Sequence, residues 1–191
     1  MSFHHFIGSG LNRSEKIQAL VVELLLSSKL PQSKRESSVL WELKHSSGVV
    51  QLARLLAQKR NVNEELAIVA AALHDVYVIL EGGYTDHAKN GEKIARNILI
   101  EKGDFTENEI DQICNAIANH SDKHIYGDDK LVELIKDADC VDCFFYGDTV
   151  YDDKPPEKLR HYYKRIINVR QELGLPPKNH FKGDTKTEEK I

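Results

Sequence analysis

The sequence has little that would tie it to the extracellular space or to a membrane. Three cysteines in 191 residues are an odd number that cannot all pair internally. Cys114, Cys140 and Cys143 are therefore read as reduced thiols rather than as a disulfide framework. No apolar run approaches the ~20 residues that cross a bilayer. Met1 to Gly10 also lacks the basic-then-apolar order of a secretory leader. A cytoplasmic location is expected, with no membrane partner. An excess of one charge is missing as well, since 30 acidic and 26 basic residues leave a net charge of −4. No basic block is present to follow a nucleic-acid backbone, so binding to such a polymer is not favoured. Sustained apolar/polar alternation is absent, and with it the signal for half-buried strands. No segment repeats at a fixed period, which argues against a solenoid.

What is present is one domain's length of chain, 41% hydrophobic, patterned for helices almost throughout. The expected fold is all-α, a single-domain bundle of about six to seven helices. A first helix follows Asn12, with Ile17, Leu20, Val21, Leu24 and Leu25 on one stripe. Ser37 or Ser38 caps a second, with Leu40, Trp41, His45, Val49, Leu52, Ala53 and Leu56 expected on its inner face. Asn63 caps a third, whose Ala67–Leu73 run is apolar on every side, the pattern of a helix buried all round. Thr85 or Asp86 opens a helix that carries His87 in its first turn. Thr106 with Glu109 has capping-box spacing and opens a stripe ending at His120. Asp128 or Asp129 caps the helix of Leu131, Leu134, Ile135 and Asp139, and a last helix runs from Pro156 to Leu173. The chain is thus divided into an N-terminal helix and connection (1–36), a helical core (37–145), a loop and C-terminal helix of the same domain (146–177) and a mobile polar tail (178–191). The polar loop from Gly147 to Pro156 has no assigned purpose.

The chemistry is read from position. An ionised carboxylate directly after an apolar run is costly to bury unless something satisfies it, and Asp75 follows such a run with His74 beside it. His45, His87, His120 and Asp139 each fall on the core-facing stripe of a different helix. Helices packed on the third can bring all six groups together, as metal sites in helical bundles do. Each histidine alone reads as a hydrogen-bonded core residue; joint coordination of a cation explains all six at once. Mixed imidazole and carboxylate ligation suits Mn, Fe, Co, Ni or Zn, with Mg allowed, as one or two ions. His4, His5, His161 and His180 are expected at the surface. Cys140 and Cys143 have the spacing of a zinc half-site but no second pair, and receive no role. Lys44, Lys89, Lys93 and Lys123 are weaker candidates for contacts to a substrate phosphate, and Arg96 shares their surroundings.

Over residues 37–145 the chain resembles the HD superfamily of metal-dependent phosphohydrolases. The resemblance is carried by Leu43-Lys44-His45-Ser46, by Ala70-Ala71-Ala72-Leu73-His74-Asp75 and by Lys136-Asp137-Ala138-Asp139. The segments from His87 to Ala95 and from Ile117 to Ser121 are similar to the extra histidine segments of some branches. The resemblance implies that His45, His74, Asp75 and Asp139 bind a first metal. It implies a role for His87 and His120 at a second metal or a substrate phosphate. The implied activity is hydrolysis of a small phosphorylated molecule, plausibly a nucleotide, by a metal-activated water that Asp75 and His74 help to handle. Many members carry a Lys, and one branch a Glu, four residues after the motif histidine, where this chain has Val78. Two alternatives stand beside this reading: a di-iron oxygenase of the same superfamily, and a module that binds a nucleotide or metal without turnover. A homo-oligomer is compatible with all three.

Overall fold

The computed structural model describes residues 10–102, 104–146 and 154–176. Within them the chain forms α1 (Arg13–Ser27), α2 (Val39–Arg60), α3 (Glu64–Leu73), α4 (Val76–Glu81), α5 (His87–Lys102), α6 (Glu107–Asn119), α7 (Lys130–Phe145) and α8 (Pro156–Glu172). A 3-10 turn at Gln32–Lys34 links α1 to α2, and the described residues contain no strand. None of these helices is long and apolar enough to cross a membrane. The loop over 147–153, the tail over 178–191 and His4, His5 and His180 lie outside the described residues.

Local chemistry starts the helices where the sequence predicts. Asn12 with Glu15 and Thr106 with Glu109 form complete capping boxes. Ser38, Asn63 and Asp129 accept hydrogen bonds from the backbone amides of Trp41, of Leu66, and of Leu131 and Val132, respectively. Each cap satisfies a donor that the helix cannot, at about 1 kcal/mol apiece.

Helix α3 is the axle of the bundle. It packs against α1, α2, α6 and α7, and every residue from Leu66 to Leu73 is at most 3% exposed. Burying Leu66, Ile68, Val69 and Leu73 contributes about 1.5–3 kcal/mol each before the entropy of ordering them. A polar group at the C-terminal end of this helix therefore emerges in the middle of the molecule.

The third helix does not simply stop at the motif. Asp75 leaves helical geometry (φ −106°, ψ 22°) and α4 resumes at Val76, running to a left-handed Gly82 (φ 85°). A β-carbon on Gly82 would lie 2.5 Å from the Lys34 carbonyl oxygen, so both the turn and the close chain crossing require glycine. Val78, four residues after His74, is buried within α4. Leu40, expected on the inner face of α2, is 67% exposed, and Glu42 is buried instead. At about 100° per residue Leu40 lies about 140° around the helix from His45, whereas Glu42 lies on the same side as His45.

Candidate metal centre

The break between α3 and α4 delivers the first two polar side chains. Asp75 occupies the N-cap of α4, where an aspartate ordinarily accepts a backbone amide, yet it makes no side-chain cap. Its carboxylate stays available for the interior. His74 ends α3, His120 ends α6 and His87 begins α5. Each holds its ring by the same device: Nδ1 donates to the carbonyl three residues earlier, Ala71, Ile117 and Tyr84 respectively, at 2.7 Å in every case. The carbonyls of Ala71 and Ile117 lie in the last turns of α3 and α6, and that of Tyr84 lies in the turn before α5. His45 sits inside α2, where the carbonyls are already used, and its Nδ1 lies 2.7 Å from Asp142 Oδ2 on α7.

A carbonyl can only accept, so the proton of each neutral ring is on Nδ1 and the lone pair on Nε2. All four Nε2 atoms point at Asp75. His74 and His45 lie 3.2 and 3.7 Å from its Oδ2, and His87 and His120 both lie 3.4 Å from its Oδ1. The rings face one another in pairs, His45 with His74 at 3.2 Å and His87 with His120 at 3.0 Å between Nε2 atoms. Asp139 closes the first pair, its Oδ1 3.3 Å from His45 Nε2. The six sequence-derived candidates thus form two halves sharing one carboxylate.

Burial disfavours a charge on His45, but its hydrogen bonds to Asp139 and Asp142 outweigh that and hold its pKa well above the ordinary 6.5. His74 is likewise raised, the charge of Asp75 overcoming burial. For His120 burial prevails and lowers the pKa to about 4. Burial works against ionised Asp75, yet His74 and His120 keep it well below the usual carboxylate range. Asp139 is held low in the same way, by Lys123 and His45 against burial.

The donor set fits a divalent cation. Facing Nε2 lone pairs repel unless a cation lies between them, and a proton or a metal ion can play that part. Asp75 Oδ1 is buried with no hydrogen-bond partner; the other buried side-chain N and O atoms in that condition, among the described residues, are arginine Nε donors. A buried carboxylate oxygen without a donor is costly, and a cation satisfies it. His45, His74 and Asp139, and separately His74, Asp75 and His120, bring ligand atoms within 4.8 Å of one another.

The four lysine candidates divide. Lys44, Lys89 and Lys93 are exposed, Lys44 with its ammonium 5.9 Å from the Tyr146 ring centre. Arg96 is engaged by Glu92 and Asp111. Lys123 is 2% exposed and belongs to the centre itself. Its ammonium pairs with Asp139 Oδ2 and donates to the His120 carbonyl. Sequence reasoning missed Asp142, although its place one turn after Asp139 was available as a signal. It also missed Glu42, which accepts a 2.8 Å hydrogen bond from Tyr84 Oη and is pushed up to about 7, first by burial and then by the charge of Asp75. Trp41 stacks on the His45 ring at 5.6 Å. Cys143 Sγ lies 3.7 Å from Asp139 Oδ1 and 3.8 Å from His45 Nδ1, at the edge of the centre.

Comparison with known proteins bears on the family and the fold. The sequence model of the HD domain matches residues 43–143, just over half of the chain. The solved structure of a predicted HD superfamily hydrolase from an uncultured Thermotogales bacterium is similar over 83% of this chain and 88% of its own, with a TM-score of 0.52 and 21% identity. At that identity the likeness speaks for the fold. Comparison with curated proteins gives no match.

Proposed function

The chain belongs to the HD domain family, and from that premise we propose that it is a metal-dependent phosphohydrolase acting on a small phosphorylated molecule, with nucleotides as leading candidates. The observation that carries the proposal is the convergence of four imidazole Nε2 atoms on Asp75, whose Oδ1 has no other partner. In this reading His45, His74, Asp75 and Asp139 hold one ion. His87 and His120 share Asp75 toward a second ion or a substrate phosphate. A bound divalent ion supplies Lewis acidity toward a phosphoryl group and lowers the pKa of a coordinated water.

The protein's own groups do the rest. Asp75, ionised at neutral pH, is placed to orient a water for attack. His74, fixed through Nδ1, has no rotational freedom to lose when it acts as a ligand. Lys123 occupies one oxygen of Asp139 and leaves the other facing His45. The Thermotogales protein, alike in fold, is itself described as a predicted HD superfamily hydrolase, which is in keeping with this reading.

The test is a phosphate-release screen over nucleotides and small phosphoesters, with Mn, Mg, Co or Ni added. Release from a defined substrate, abolished in Asp75→Ala, is the expected result. Two irons per chain with oxygen consumption and no phosphate release would instead identify an oxygenase, and nucleotide binding without turnover would identify a binding module.

A further inference from the structure

Three histidines of the centre lean on backbone carbonyls, and His45 leans on a carboxylate. Asp142 is 4% exposed, and among the described residues its carboxylate hydrogen-bonds to His45 alone. Its seat is unusual. A β-carbon on Gly48 of α2 would collide with Asp142 Oδ1 and lie 2.6 Å from its Cγ. Gly48 is in the interior of a 22-residue helix, where glycine is a poor helix former and nothing in its backbone geometry calls for it. The missing side chain is explained by the carboxylate that fills its place.

We infer that Asp142, lodged in the notch that Gly48 leaves in α2, is a positioning residue that fixes the orientation of His45 and strengthens its Nε2 as a donor. The half of the centre built on His45, His74 and Asp139 then takes up the first ion, ahead of the half built on His87 and His120. The inference rests on the metal-centre reading above. Its physical basis is that an imidazole donating Nδ1–H to a carboxylate is a more basic ligand than one donating to a neutral carbonyl. The backbone could not offer the same anchor inside α2, so the fold reaches 97 residues along the chain for a side chain.

The test is titration of the metal-free full-length chain with cobalt, read by visible absorbance and calorimetry, for wild type, Asp142→Asn, Gly48→Ala, Gly48→Ala/Asp142→Ala and His120→Ala. Asp142→Asn keeps shape and an acceptor but removes the charge, and it weakens the tighter step by about 10- to 100-fold. Gly48→Ala does the same by expelling the carboxylate, and lowers the thermal midpoint of the metal-free protein. Adding Asp142→Ala to Gly48→Ala restores that midpoint, because the clash is gone, but not the affinity. His120→Ala leaves the tighter step in place. Wild-type affinity in Asp142→Asn would overturn the inference while leaving the metal centre standing, and if Gly48→Ala fails to fold this variant alone decides. A wild-type chain that binds no cobalt would overturn the metal reading itself.

Discussion

Helix α7 serves two polar clusters on different faces, and only one of them is complete. On one side Glu133 and Asp137 meet Arg165 of α8 at 2.8 Å each, and Asp137 also meets Arg60 at 2.8 Å, which in turn holds Glu172 at 2.7 Å. Arg165 spends its remaining donors on the carbonyls of Lys123 and Ile125. Charges alternate and the hydrogen bonds close. On the other side Asp139 and Asp142 hold His45, four imidazole Nε2 atoms converge on Asp75 and oppose one another in pairs, and Asp75 Oδ1 has no hydrogen-bond partner. Lys123 joins the two, its ammonium in the second cluster and its carbonyl in the first. Both clusters mix acidic with basic groups, the first partly buried and the second more deeply so. What separates a structural network from a ligand site is whether the protein satisfies its own polar atoms.

The largest effect expected of that contrast comes from Asp75→Ala, which removes the carboxylate shared by both halves. It abolishes metal uptake and turnover while the protein stays folded; full retention of either would erase the distinction between the clusters. Next is Arg165→Met. It takes one partner from Glu133 and Asp137, which keep Lys136 and Arg60, and lowers stability by about 1–3 kcal/mol, measured by denaturant unfolding, yet leaves metal stoichiometry unchanged in the folded protein. The reverse pattern would mean that the network belongs to the site.

A third effect is pH dependence of the metal-stripped protein. His45 and His74 have folded pKa values raised above 6.5, so their contribution is complete below that value and is lost as pH rises through the folded pKa. Glu42, raised from 4.5 to about 7, adds a cost that grows between those values and is complete above them. The thermal midpoint of the stripped protein therefore falls as pH rises above 6.5, and saturating metal removes the fall; a midpoint that climbs would contradict the assigned directions. The smallest effects belong to Lys44, Lys89 and Lys93. Alanine at each leaves metal content intact and stability within about 0.5 kcal/mol, so any change appears in KM alone.

The divide between the clusters also marks what could be read in the sequence. Helix starts were legible because a cap and its partner lie within three residues, as with Thr106 and Glu109. The six polar positions stood out because each interrupts a periodic apolar stripe. The supports did not. Gly48 looks like a weak point in α2 until Asp142 is seen in its place, and the two are 94 positions apart in sequence. Lys123 reads as a surface charge beside His120 until the fold turns it onto Asp139. Leu40 fits the apolar stripe of α2 by residue type, while helical angle places Glu42 toward His45 and Leu40 in solvent. Period and capping are local and leave their mark on the chain; the packing that holds a ligand in orientation is not, and does not.

The most direct test of the central claim is the metal content of the purified protein after exposure to Mn, Fe, Co, Ni or Zn and exhaustive dialysis. One or two ions per chain, absent from Asp75→Ala treated alongside, is the predicted result. A wild-type chain that retains no ion under any of these conditions would mean that the six groups are a structural cluster held together by protons, and would contradict the account.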